Sequence, residues 1–206
     1  MFYILTIIIA SIIIGAVNYI VNFAAFDYNA WNIIFCVVIS VIGAIAIDSL
    51  FATIVRWLLP KKWFSVDKKR WAAKRSECLF YEKIGIKKWK DKVIDLGAVT
   101  GFRKNKIAEP TSNVFVARYI VEANYGVLVH IACIIFGYLA CLIFPYKWYS
   151  VGLFVGFVNM VLNGLALMTL RYNLPKLHTL YRINARREIC RTRQVVAEEN
   201  IEEISA

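Results

Sequence analysis

Four stretches of this chain are apolar over the length of a bilayer, and that limits its folds more than any other feature. A helix needs roughly 20 mostly apolar residues to cross the hydrocarbon layer. Phe2–Phe23, Trp31–Leu59, Tyr125–Phe144 and Trp148–Leu170 all qualify. The composition agrees: 60% of the 206 residues are hydrophobic and 15% aromatic, well above the usual soluble share. The first run is not a signal peptide by its pattern. No basic residue precedes it, its apolar core is long, and no clear small-residue cleavage site follows. The expectation is an all-α integral membrane protein with four transmembrane helices arranged as two hairpins.

Charge gives the orientation. Of 25 Lys and Arg, sixteen fall between Lys61 and Arg118, seven lie from Arg171 onward, and Arg56 ends the second run. Lys147 alone sits in the loop between the third and fourth runs. Basic residues stay on the cytoplasmic side, so both termini and the long middle region are expected there. The net charge of +11 reads as attraction to anionic headgroups, at about 1 kcal/mol per charge near the surface. Because these charges flank spans, nucleic acid is not the expected partner. Cys36, Cys133 and Cys141 fall in spans, and Cys78 and Cys190 on a reducing side. With no CxxC pair, neither a disulfide framework nor a metal site is expected.

The chain therefore divides into a transmembrane hairpin at 1–59, a basic amphipathic insert at 60–124, a second hairpin at 125–170 and a C-terminal segment at 171–206. In the insert, Asp67 is expected to cap a helix from about Lys68 to Lys83, ended by Gly85. Trp71, Cys78 and Leu79 would share one face. Trp89, Val93 and Ile94 form a second apolar stripe among lysines, as in helices lying in the headgroup plane. Gly97–Asn113 reads as a loop, with a helix restarting near Asn113 and running into the third span. The tail from Ile183 reads as a solvated helix, fraying near its end.

Ionisable groups inside spans are costly and mark functional candidates. They are Asp48 and His130, joined by the softer Asn18, Asn159 and Asn163. At a rise of about 1.5 Å per residue, His130 lies roughly 8 Å and Asn163 roughly 10 Å from the inner ends of their spans. Asp48 lies about 12 Å above Arg56 by the same measure. Those depths allow His130, Asn163 and Asp48 to share one shell. Asn18 falls near the outer face, and Asn159 reads as interhelical glue. Glu122 precedes His130 by eight residues, about 80° of rotation and about 12 Å of rise. The two cannot touch, so His130 needs a partner from another helix.

Three segments in order, "FYEKIGIKKWKDKVIDLG", "RYIVEANYGVLVH" and "NMVLNGLALMTLRYNLPKLHTLYRINARR", resemble the glycosyl-diaponeurosporenoate acyltransferases of staphyloxanthin biosynthesis. That family pairs a basic, tryptophan-bearing middle segment with an acid-then-histidine segment and a last span ending in Arg-Tyr-Asn-x-Pro. Here the features fall on Lys88, Trp89 and Lys90, on Glu122 and His130, on Asn163, and on Arg171, Tyr172, Asn173 and Pro175. One difference stands out: Gly126 and Val127 occupy the place of a second acidic position.

The resemblance implies a bacterial membrane enzyme that esterifies a fatty acyl group onto a sugar hydroxyl of a glycosylated carotenoid or related glycolipid. His130 would be the base, with Glu122 placing the acceptor or the insert. Asn163, Arg171, Tyr172 and Asn173 would bind substrate or the oxyanion, with Asp48 behind them. Lys87, Lys88, Trp89 and Lys90 would meet the donor or the membrane surface. The implied donor is an acyl thioester of coenzyme A or a carrier protein, and no cofactor is held tightly. A histidine's ordinary pKa near 6.5 suits such a base. No Gly-x-Ser-x-Gly elbow is present, which favours direct transfer, with Cys78 as the alternative covalent carrier. A non-catalytic scaffold or a subunit of a lipid-modifying complex is the other reading.

Overall fold

In hydrocarbon no water is available to backbone amides, so a long apolar run must satisfy its own hydrogen bonds. The computed structural model is accordingly helical, with no strand among the described residues. The structure describes residues 2–93, 109–144 and 148–205. Four helices are long and apolar enough to cross a membrane: α1 (Phe2–Val21), α2 (Ala30–Leu58), α5 (Asn113–Phe136) and α6 (Tyr149–Ser205). Two short helices, α3 (Arg75–Lys83) and α4 (Ile86–Trp89), lie between α2 and α5.

α1 leaves Ile4, Leu5, Ile8, Ile12 and Ile13 exposed on its outer side, as a lipid-facing helix does. A short 3-10 turn, Phe23–Phe26, returns the chain, with Asp27 and Tyr28 at positive φ. Trp148 closes this end. Its indole N–H donates to the Ala25 carbonyl at 2.9 Å, and its ring stacks on the fully buried Phe26. Asn18, wholly buried, accepts from Ser150 at 2.7 Å and ties α1 to α6. On α2, the Asn29 side chain caps the start by accepting the Trp31 N–H.

α5 and α6 form the main seam. Val116, Tyr119, Ile120, Ala123 and Val127 recur at helical spacing and bury against Leu170, Leu174 and Leu177. Ser112 caps α5, and the helix begins at Asn113 as the sequence predicts. The α-helical part of the third span is shorter than expected, however. It ends at Phe136, and Gly137–Ile143 winds as a tighter 3-10 helix.

α6 is one helix of 57 residues and runs through Pro175. The tail, read as a solvated helix, continues the helix that carries the fourth apolar run past Leu170 without a break. Proline has no N–H to give the carbonyl four residues back, which is that of Arg171. The amide of Ala73, from the insert, donates to that carbonyl instead, at 3.0 Å. A gap in the α6 ladder is thus filled by another segment of the chain.

The same contact explains a second correction. The helix predicted from Lys68 does not form as one piece. Lys69–Trp71 is a 3-10 turn, the chain is extended at Ala72, and α3 starts only at Arg75. An Ala73 amide docked on α6 cannot also join a helix begun at Lys68. Trp71 instead stacks on Phe64 and donates to the Trp63 carbonyl. Its predicted face-mates go elsewhere: Cys78 packs near Tyr172, while Leu79 is exposed. Gly85 does end α3, at a φ of +74° that favours glycine. Ile94 and most of the predicted Gly97–Asn113 loop lie outside the described residues, as does Lys147.

Candidate active site

The polar residues within the spans converge from three helices. Asp48 comes from α2, His130 from α5, and Asn159 and Asn163 from α6. Asn163 Nδ2 donates to Asp48 Oδ2 at 3.1 Å, and Asn159 Nδ2 donates to Asp48 Oδ1 at 3.1 Å. Asn163 Nδ2 also lies 3.0 Å from Asn159 Oδ1. His130 Nδ1 meets Asn163 Oδ1 at 2.8 Å. Predicted depth placed three of these residues in one shell, and the hydrogen bonds join them.

The bonding pattern sets the chemistry of the ring. Both Asp48 oxygens accept, so the amide nitrogen of Asn163 must face the acid and its oxygen must face His130. That oxygen can only accept. Nδ1 of His130 therefore carries the proton and donates, and the basic lone pair falls on Nε2. The order acid, amide, imidazole uses the logic of a catalytic triad, in which a fixed neighbour selects the tautomer of the base.

Packing holds this arrangement in place. A Cβ added to Gly137 would sit 2.7 Å from Asn159 Nδ2, so a larger residue would displace the amide that reaches Asp48. Cys133 lies beside the Asp48 carbonyl. Asn159 was read from sequence only as glue. The signal for more was its position one turn from Asn163, which puts both amides on one face of α6.

Glu122 stands apart from His130, as helix geometry requires. Its carboxylate pairs with Arg56 at the end of α2, at 2.5 Å. Arg56 in turn lies over the Tyr125 ring, 5.6 Å from its centre. Glu122 thereby joins α5 to α2 rather than to the lysine-rich insert.

Arg171 and Tyr172 also lie away from His130. Arg171 follows Asn163 by eight residues on the same helix, about 12 Å of rise. Its guanidinium grips both oxygens of Glu77, at 2.6 and 2.7 Å. Tyr81 adds a hydrogen bond to the same carboxylate. Hydrogen bonding from Arg171 is the main reason that the Glu77 carboxyl falls to about 2. Tyr172 donates to Glu82 at 2.8 Å, and Lys87 pairs with Glu82 at 2.9 Å. Lys87 and Tyr172 hold the Glu82 carboxyl below its usual range, the Lys87 bond more strongly.

Lys176 sits over the Tyr172 ring at 4.1 Å, and the Trp89 indole donates to the Ile84 carbonyl. Lys90 pairs with Asp91. Lys88 is exposed, and Asn173 is half-buried, its side chain in no hydrogen bond among the described residues. The Arg-Tyr-Asn-x-Pro turn of α6 is thus a dock for the insert. Its side-chain partners, Glu77 and Glu82, carried no mark in the sequence beyond their charge.

A sequence profile of the glycosyl-4,4'-diaponeurosporenoate acyltransferases, CrtO, matches residues 60–183. The chain belongs to that family. No curated protein and no solved structure matches it. The matched stretch contains the insert, the docking turn, His130, Asn159 and Asn163. Asp48 lies outside it, on α2.

Proposed function

We propose that this protein is a membrane acyltransferase that esterifies a fatty acyl group onto a sugar hydroxyl of a glycosylated lipid, a glycosylated carotenoid in the first instance. The observation that carries the reading is the 2.8 Å contact between His130 Nδ1 and Asn163 Oδ1, backed by Asp48. Membership of an acyltransferase family supports it.

In this reading Nε2 of His130 takes the proton of the acceptor hydroxyl as its oxygen attacks the thioester carbonyl. The tetrahedral oxyanion collapses, the C–S bond breaks, and the imidazolium returns its proton to the departing thiolate. Asn163 and Asp48 hold the imidazole rather than the oxyanion, because the amide nitrogen of Asn163 is already bonded to Asp48. Arg171 and Tyr172, engaged with Glu77 and Glu82, hold the insert instead of the reacting carbonyl. Glu122 fixes α5 against α2.

The spans form two hairpins with both termini and the insert on the cytoplasmic face of a bacterial membrane. The one-sided basic charge supports that topology. The exposed lysines of the insert, Lys87 and Lys88 among them, meet headgroups and steer an anionic thioester donor. The test is acyl transfer by the purified protein in lipid nanodiscs, with acyl-coenzyme A and a glycosylated carotenoid. Ester formation by the wild-type chain supports the enzyme. Its absence with every thioester donor, a carrier-protein thioester included, would favour a scaffold.

A further inference from the structure

The lysines of the docked insert meet α6 around one tyrosine. Tyr172 donates to Glu82 Oε1 at 2.8 Å, and Lys87 of α4 reaches the same oxygen at 2.9 Å. Lys176 covers the ring of that tyrosine, its Nζ 4.1 Å from the centre. Lys90, on the turn after α4, is held to 23% side-chain exposure and pairs with Asp91 at 3.3 Å. Three ammonium groups thus stand against the carboxylates of Glu82 and Asp91, and Lys176 forms no ion pair among the described residues. Partial burial, followed by the charges of Lys90 and Lys87, lowers the Lys176 pKa, while Glu82 and Cys78 offset part of that. Positive charge is in excess here, and Lys83, Lys88 and Lys92 add to it along the insert.

The same side of α6 continues into the apolar run. Phe154, Phe157, Val161, Gly164, Met168, Tyr172 and Lys176 recur at spacings of three and four, which is one stripe of a helix. Phe154, Phe157 and Val161 are 47%, 53% and 42% exposed, and Met168 packs against the cluster around Tyr172. A Cβ added to Gly164 would meet nothing within 4 Å, so the glycine leaves a notch in the stripe. Tyr172 follows Asn163 by nine residues, which at about 100° per residue is about half a turn. The stripe therefore lies on the opposite side of α6 from the amide that meets His130. Lys176 is six residues past Leu170, about 9 Å at the helical rise, and its side chain turns back toward the end of the apolar run.

We propose that this stripe binds one anionic phospholipid, with its phosphate on Lys176, Lys87 and Lys90 and an acyl chain along Met168, Gly164 and Val161. Charge complementarity selects the headgroup, and the exposed apolar stripe beside it selects the chain. A soluble phosphate compound would use the lysines and leave the stripe bare. The bound lipid would bridge α4 and α6 beside the Tyr172–Glu82 bond. The site is separate from the histidine, so it does not depend on the acyltransferase reading.

The test titrates the full-length protein in detergent with phosphatidylglycerol and reads bound lipid by native mass spectrometry. Diacylglycerol with the same chains supplies the chains without the phosphate, and coenzyme A supplies phosphate without the chains. The wild-type chain should retain phosphatidylglycerol in preference to diacylglycerol, and coenzyme A should not displace it. Lys176→Gln and, from the insert side, Lys90→Gln should each weaken retention about fivefold, the worth of one lysine beside an anionic lipid. Gly164→Leu should weaken it with every lysine in place, and its side chain enters open space, so the fold is kept.

Equal retention of the two lipids, or wild-type retention by both lysine variants, would overturn the site. Displacement by coenzyme A, or full retention by Gly164→Leu, would overturn the lipid as its occupant and leave the lysines to a soluble phosphate. No acyl acceptor is present in the titration, so its failure is distinct from a failure of acyl transfer.

Discussion

At the scale of single residues, the bonds around Asp48 assign a partner to each polar group. His130 was legible as a candidate because a histidine inside a span is costly to insert. Asn163 and Asp48 were legible as neighbours from depth alone. Asn159 was not read as part of the site, since a lone asparagine in a span is as readily glue as machinery. Only the three-dimensional meeting of α2 and α6 shows that it shares a carboxylate with Asn163. The arrangement predicts that Asp48→Asn disturbs catalysis through the imidazole. An amide at 48 cannot accept from both asparagines without exposing a buried donor, at a cost of about 1–3 kcal/mol. Expressed in the barrier, that is a rate loss of about 5- to 150-fold. The check is twofold: the transfer rate, and NMR of labelled histidine, which should show the His130 tautomer becoming mixed. A rate loss with an unchanged tautomer would contradict the positioning role.

At the scale of elements, α6 holds the insert through the Ala73–Arg171 backbone bond and through the Arg171–Glu77 and Tyr172–Glu82 pairs. The sequence showed which residues were apolar and basic, but not that Pro175 opens a carbonyl on α6 for the Ala73 amide. Local capping signals therefore pointed to a helix from Lys68 that the long-range bond prevents. Two predictions belong here. Replacing Pro175 by Ala lets residue 175 compete for the Arg171 carbonyl. It should increase protease cleavage within residues 69–83 several-fold, in line with a loss of about 1 kcal/mol, while helix content by circular dichroism stays the same.

The second prediction concerns pH. Glu77 has its folded pKa depressed to about 2. Its contribution is fully present above its unfolded value near 4.3 and is lost as pH falls through about 2. Insert docking, followed by the same proteolysis with an acid-tolerant protease, should hold at neutral pH and weaken between those two values. The Glu77→Gln variant should be weakened at neutral pH already and respond little to acid. A wild-type chain with flat protection down to pH about 2 would contradict the role given to the Arg171–Glu77 pair.

At the scale of the whole molecule, the four membrane-length helices were plain from composition and length. Their ends were less so. The third span finishes in a 3-10 helix where Gly137 lets Asn159 approach, and the fourth continues without a break into the tail. Neither fact is local, because each depends on what another helix or the insert brings to that point. The division of labour is also visible only at this scale. The family stretch holds His130, Asn159 and Asn163, while α2, outside it, brings Asp48. Arg56 and Glu122 join the two parts, and this pair predicts charge-swap behaviour. Arg56→Glu alone should lower thermal stability in detergent, and Arg56→Glu with Glu122→Arg should recover much of it. An exposed pair of this type is worth about 1 kcal/mol or less, so the recovered shift should be a few degrees.

The central claim is that His130 is the base of an acyl transfer. The most direct measurement is the single-turnover rate of ester formation in nanodiscs for the wild-type chain, His130→Ala, and His130→Ala with Asn163→Ala. A general base contributes about 10²- to 10⁴-fold, so His130→Ala should lose about that much. Because Asn163 acts through the ring, removing it as well should add almost nothing. Full transfer by a folded His130→Ala variant, or an additive further loss in the double variant, would contradict the account.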